Sequence, residues 1–209
     1  MDGAAIQAKI YAGYAKTASY IGAAHTQYRP ASALAPLAAP LGTLAAHFRM
    51  DQAFARTQAY GKPLWMLYAD GAQLAPGDYL VGAVATYFVA AMPPLLPIAA
   101  VQCNRQIVVT RPVSGGAAGA QGYGGEAGSE TLLAGWPAAV LQGTKGERPD
   151  LGLPTDVRAP WWQMLLPAFA GVVLMASDIV ADDLGRRYAV SSAELTDMGW
   201  RLTAQQLVT

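Results

Sequence analysis

Charge is scarce in this sequence. Only 13% of its 209 residues are Asp, Glu, Lys or Arg, about half the usual share for a soluble globular chain. Acids and bases balance at 14 each, and the bases are scattered rather than gathered into a stripe, which argues against a nucleic-acid partner. Cysteine occurs once, at Cys103, so an intrachain disulfide and a multi-cysteine metal site are excluded, and the lone thiol reads as core packing. The two histidines, His25 and His47, have no Cys or carboxylate at ligand spacing. No serine stands in a Gly-x-Ser-x-Gly elbow, so a hydrolase of the Ser-His-Asp type lacks both nucleophile and base.

Other motifs fail on context. Gly122-Tyr123-Gly124-Gly125-Glu126-Ala127 matches the spacing of a dinucleotide loop, yet it lacks the strand before and the helix after that would place a pyrophosphate at a helix N-terminus. Gln142-Gly143-Thr144-Lys145-Gly146-Glu147 lacks the first glycine and the hydroxyl residue of a phosphate loop. The acids Asp178, Asp182, Asp183, Glu194 and Asp197 do not alternate as a calcium loop requires. They read as turn residues balanced by Arg186 and Arg187. No cofactor and no metal is expected.

The membrane test also fails. From Val81 to Val101 there are 21 residues without a charge, but Pro93, Pro94 and Pro97 would break the hydrogen-bonded helix that lipid demands. This segment reads as two buried strands joined by a proline loop. The opening residues have an acid at position 2 and lysines within the apolar stretch, the wrong order for a secretory signal, and the expected compartment is the cytoplasm.

What the sequence has in abundance is apolar residues, 53% of the chain, enough for a sizeable core. Ile6, Ile10, Tyr14, Ala18 and Ile21 fall on one helical face, and Gly22 stands where a helix stops, which predicts an N-terminal helix of about 18 residues. Residues 23–61 hold Pro30, Pro36 and Pro40 in a low-charge run and read as an extended connector over another surface. From Lys62 to Arg111 the pattern turns to strands. Val101, Cys103, Ile107 and Val109 face one way and Gln102, Asn104, Val108 and Thr110 the other, up to Pro112. Seven glycines between 113 and 130 mark a linker.

The second half then repeats the first. Pro63-x-Trp65 and Pro160-x-Trp162 each lead to an aspartate, Asp78 or Asp178, and then to a Tyr-x-Val, Tyr87–Val89 or Tyr188–Val190. Ala181–Gly185 reads as a hairpin turn with its glycine left-handed, and Trp200, Leu202 and Ala204 alternate in a closing strand. Three or four strands per half are too few for a stable open sheet, so each half curls into a small barrel or the two pair. The expected fold is mainly β with an N-terminal α-helix and two related barrel-like halves. Its expected divisions are a helix and proline-rich arm (1–61), a first half (62–112), the glycine linker (113–130) and a second half (131–209). Trp65 and Trp162 are expected at equivalent core positions, with Trp161 at an interface.

The stretches Ala75–Val81, Thr86–Pro97 and Ala176–Trp200 resemble the short barrel pattern of neck and tail proteins of tailed bacteriophages. The helix-first opening and the stretch from Gly135 to Trp162 are similar to a poorly characterised group of phage structural proteins. The resemblance implies a non-enzymatic virion subunit at the head-to-tail junction or in the tail. Such a subunit would be a homo-oligomer, assembled in the host cytoplasm beside other neck or tail proteins, with no nucleic-acid or membrane partner. Its expected interface residues are Ile6, Ile10, Tyr14, Tyr28, Tyr123 and Trp161. The alternative is a cytoplasmic module that holds a small ligand between the halves, with Trp161 and Tyr123 as stacking groups.

Overall fold

Apolar residues at every second position can close a sheet on itself only if both edges find partners, and here they do so twice. A computed structural model describes residues 2–50, 63–112, 128–143 and 161–207. It shows one helix, α1 (Gly3–Ile21), followed by twelve strands. The first barrel is closed in the order β1 (Ala23–Tyr28), β2 (Pro40–Arg49), β3 (Leu64–Tyr68), β6 (Ile98–Cys103), β5 (Thr86–Ala91), β4 (Tyr79–Val81). The second has the order β10 (Ile179–Asp182), β11 (Arg187–Thr196), β12 (Gly199–Gln206), β9 (Trp161–Leu166), β8 (Ser129–Gln142), β7 (Arg105–Pro112). All neighbouring strands are antiparallel. Closure leaves no sheet edge unpaired in either half.

The two barrels share one strand order, β1 matching β7 and so on to β6 matching β12. Their registers match too. Trp65 lies opposite Ala100 as Trp162 lies opposite Ala204, and Tyr87 opposite Gln102 as Tyr188 opposite Gln206. A bulge interrupts β5 between Val89 and Ala91 and β11 between Val190 and Ser192. The extra residue between Asp178 and Tyr188 is absorbed in the β10–β11 turn, where Gly185 takes φ +76°. A shared bulge at matched positions is the mark of a repeated unit.

Where the repeat begins differs from the sequence expectation. The connector expected over 23–61 supplies β1 and β2, and its prolines fall in the loop between them or, as Pro40, at the first residue of β2. The run from Val101 to Pro112, read as one strand, is two. β6 closes the first barrel, and β7 opens the second after the single residue Asn104. The barrels are therefore joined at Asn104 and not by the glycine-rich segment, which lies between two strands of the second barrel; residues 113–127 are outside the described residues.

Asn104 holds this junction with its side chain. Its Nδ2 donates to the Val140 carbonyl at 2.9 Å, its Oδ1 accepts from the Val140 amide at 2.8 Å, and its own amide donates to Ala138. The amide group thus replaces the backbone ladder where the chain changes barrels.

Inside the first barrel sit Leu44, Ala46, Leu67, Leu80, Val89, Ile98 and Ala100. A larger cluster joins the second barrel's interior to the outward side of the first, through Tyr79, Phe88, Ala90 and Val101. Tyr79 meets Trp136 edge-on at 6.1 Å and donates its hydroxyl to the Pro137 carbonyl at 2.8 Å. Trp136 in turn donates Nε1–H to the Ala33 carbonyl of the β1–β2 loop. Helix α1 lies on β2 and β3 with Tyr14 edge-on to Tyr68 at 5.3 Å. It ends at Gly22, and the space there admits only glycine. A Cβ there would come within 2.4 Å of the Ala18 carbonyl oxygen and 2.9 Å of that of Ala46.

Candidate functional site

The strongest polar feature occurs once in each barrel. The tight loop before β4 turns at Gly77 (φ +91°), and that before β10 at Ser177 (φ +76°), a left-handed conformation that is strained for a residue with a Cβ. The following aspartate is buried in both. Asp78 accepts from Arg29 Nε and Nη2, both at 2.7 Å, from Gln27 Nε2 at 2.8 Å and from the Ala75 amide at 2.8 Å. Asp178 accepts from Arg111 Nε at 2.8 Å, from its Nη2 at 2.9 Å and from the Met175 amide at 2.8 Å. Both aspartate carbonyls also close the β-ladder, to Val89 and Val190.

Each guanidinium is held in a two-pronged bond, and that bond raises its pKa above the ordinary arginine value. Every carboxylate oxygen of both aspartates is engaged by a donor. These are corner clamps. The sequence marks both aspartates, but for Asp178 it points to Arg186 and Arg187 as the balancing bases. The true partners, Arg29 and Arg111, lie one strand away in space and far away in sequence.

Asp182 is also structural. It accepts from the Leu184 and Arg186 amides at 3.0 and 2.9 Å and from the Tyr188 hydroxyl at 2.8 Å, as the turn reading expected. Burial first, and then the bond to Asp182, raises the Tyr188 pKa from 10.0 to about 12. The sign follows directly. The folded state keeps its proton where the unfolded chain loses it, so this stabilisation is complete below pH 10 and fades as pH rises towards 12. The stability difference between the parent and Tyr188→Phe, measured by urea unfolding, should therefore shrink between pH 10 and 12. A difference constant across that window would contradict the assignment.

The remaining candidates separate. His25 is buried at the mouth of the first barrel, its Nδ1 2.9 Å from the Ala23 carbonyl and its ring beside Phe48 and Tyr87. His47 faces outward beside Tyr68. Among the described residues no three His, Cys, Asp or Glu side chains gather as metal ligands would. Desolvation drives the Cys103 thiol pKa upward, which disfavours the thiolate that a nucleophile needs. No described helix is long and apolar enough to cross a membrane.

Trp65 and Trp162 take equivalent places on β3 and β9. Each is half-buried and meets the matching tyrosine, Trp65 to Tyr87 at 6.0 Å and Trp162 to Tyr188 at 5.4 Å. Arg186 stacks over Trp162 at 5.7 Å. Of the expected interface residues, Ile6, Ile10 and Tyr14 are half-buried on α1, and Tyr14 packs on the chain's own first barrel. Tyr28 packs in the cluster between the barrels. Trp161 lies against Gly143, where a Cβ would come within 2.0 Å of its ring. Tyr123 is outside the described residues, so the stacking pair with Trp161 is not brought together among them.

The cleft between the barrels, lined by Gly77, Val89, Pro167 and Met198 among others, has about 120 Å³, below the roughly 300–1,000 Å³ of ligand pockets. A shallower groove of about 330 Å³ lies between Gln7 and Tyr11 of α1 and the Met92–Leu95 loop. Fold and site together define the molecule as a tandem of two related six-stranded closed barrels stabilised by buried Asp–Arg corners. Comparison with known proteins gives no matching family, no matching curated protein and no matching solved structure.

Proposed function

We propose that this chain is a non-enzymatic structural subunit of a tailed bacteriophage particle, present in several copies at the head-to-tail neck or in the tail. The observation that carries the reading is a surface with little charge and many apolar side chains. Tyr20 is 76% exposed, Val84 99% and Val173 64%, and Ile21, Leu34, Leu41, Leu184 and Leu195 are also exposed, on a chain only 13% charged. Apolar groups in such number outside the core mark contact surfaces when they are contiguous. Every buried acid described above serves a turn or a corner, which leaves the polar chemistry of the fold occupied by structure.

Sedimentation of the purified chain tests the reading. Particles well above the 21.8 kDa of one chain are expected, with rings or stacks in negative-stain images. A single species at the mass of one chain, at high micromolar concentration and also after residues 2–21 are removed, would refute it.

A further inference from the structure

The barrels offer a comparison inside one chain. Across the outward side of the first runs the row Tyr28, Tyr79, Phe88, Val101 and Leu64, each opposite the next on adjacent strands. Tyr79, Phe88 and Val101 are fully covered by the second barrel. The matching row on the second barrel is Thr110, Ile179, Ala189, Gln205 and Trp161, in the same register. None is charged and all are half-buried. Among the described elements, β10, β11 and β12 pair chiefly within their own barrel.

The receiving surface is repeated as well. The first barrel sits on the outward side of β8, where β6 meets it and Tyr79 bonds to Pro137, beside the buried Ala139. Ala139 lies opposite Leu165, as His47 lies opposite Tyr68 on β2 and β3. On the first barrel that surface is covered by α1, with Tyr14 on Tyr68. The helix is lightly held. Of its 19 residues only Ala18 is buried, no base stands in its last turn, and its N-cap bond from the Ala4 amide to Asp2 is 3.3 Å long.

We infer that the uncharged row of the second barrel docks on the β2–β3 face of the first barrel of a second copy, and that α1 is a displaceable cap on that face. The contact would repeat, between chains, the packing that already joins the two barrels within one chain. A head-to-tail contact of this kind does not close on itself unless its rotation does, so it yields rings or filaments. The inference deepens the reading of the chain as a multi-copy subunit by naming the partner and both surfaces.

The experiment compares four chains by sedimentation velocity: the full chain, a version lacking residues 2–21, and each of these with Ala189→Arg. The truncated chain should shift to dimers and longer species relative to the full chain, and Ala189→Arg should return it to the single-chain value. Should truncation prevent folding, Tyr11→Ala with Tyr14→Ala in the full chain loosens the helix and should give the same shift. An unchanged sedimentation profile in the helix-loosened protein, or assembly indifferent to Ala189→Arg, overturns the inference. A full chain that assembles regardless of Ala189→Arg would leave the multi-copy reading standing and remove this contact from it. If no version assembles, both readings fall.

Discussion

Trp136→Ala is expected to lower the stability of the chain by about 3–5 kcal/mol, the range for deleting a large buried aromatic. Trp136 is fully buried and stands where three parts of the fold meet. Its ring touches Tyr79 of the first barrel and Phe169 of the loop after β9, at 6.1 and 5.6 Å. Its Nε1–H satisfies the Ala33 carbonyl of the β1–β2 loop. Alanine would leave a cavity that rigid strands cannot collapse around, and it would leave that carbonyl with the Ala134 amide as its one remaining donor. Chemical denaturation followed by far-ultraviolet circular dichroism measures the effect. A loss below about 1 kcal/mol would mean that the barrels do not rely on each other as this contact indicates.

The second large effect separates the two corners. Arg111→Ala should cost about 3–5 kcal/mol, because it strips a buried carboxylate of its countercharge. Asp178 would keep only the Met175 amide among the side-chain contacts described. Arg29→Ala should cost less. Asp78 retains Gln27 Nε2 as well as the Ala75 amide, and the Arg29 side chain is 50% exposed against 27% for Arg111. The position matching Gln27 is Val109, which can donate nothing. Unfolding midpoints of the two variants give the order. Equal losses, or a larger loss from Arg29, would show that Gln27 does not substitute for the missing charge.

Much of this architecture was legible in the residues. The three-to-four spacing from Ile6 to Ile21 gave the helix, because its apolar face meets the barrel. The Trp, Asp and Tyr matches marked equivalent places in the two barrels, Trp65 and Trp162 against Tyr87 and Tyr188, and Asp78 and Asp178 each in a corner clamp. β1 and β2 escaped notice for a physical reason. Small alanines lie on both faces of β2, Ala46 buried and Ala45 exposed, so alternation carries no hydrophobic contrast. The prolines that suggested a connector crowd into one loop and the first residue of a strand, where a missing N–H does no harm.

The boundary between the barrels was misplaced because composition draws attention to glycine. The actual joint is an asparagine in the middle of an alternating run, where a polar residue passes for an ordinary outward-facing one. Nothing in residue type reveals that the Asn104 amide stands in for a stretch of backbone. The candidate surface was only partly visible. Trp161 was singled out as an interface residue and lies at one end of the uncharged row, whereas Ile179, Ala189 and Gln205 join it only through strand register.

The one-residue passage at Asn104 separates the unit that was repeated from the unit that folds. By strand order, each barrel is a whole copy of the motif. By burial, the first is not whole: Tyr79, Phe88 and Val101 on its outward side are buried in the cluster it shares with the second barrel. A fragment holding the first barrel alone would thus have a complete topology and a filled interior but an uncovered apolar outer face. The pair, not the single barrel, is the smallest piece of this chain in which that face is covered.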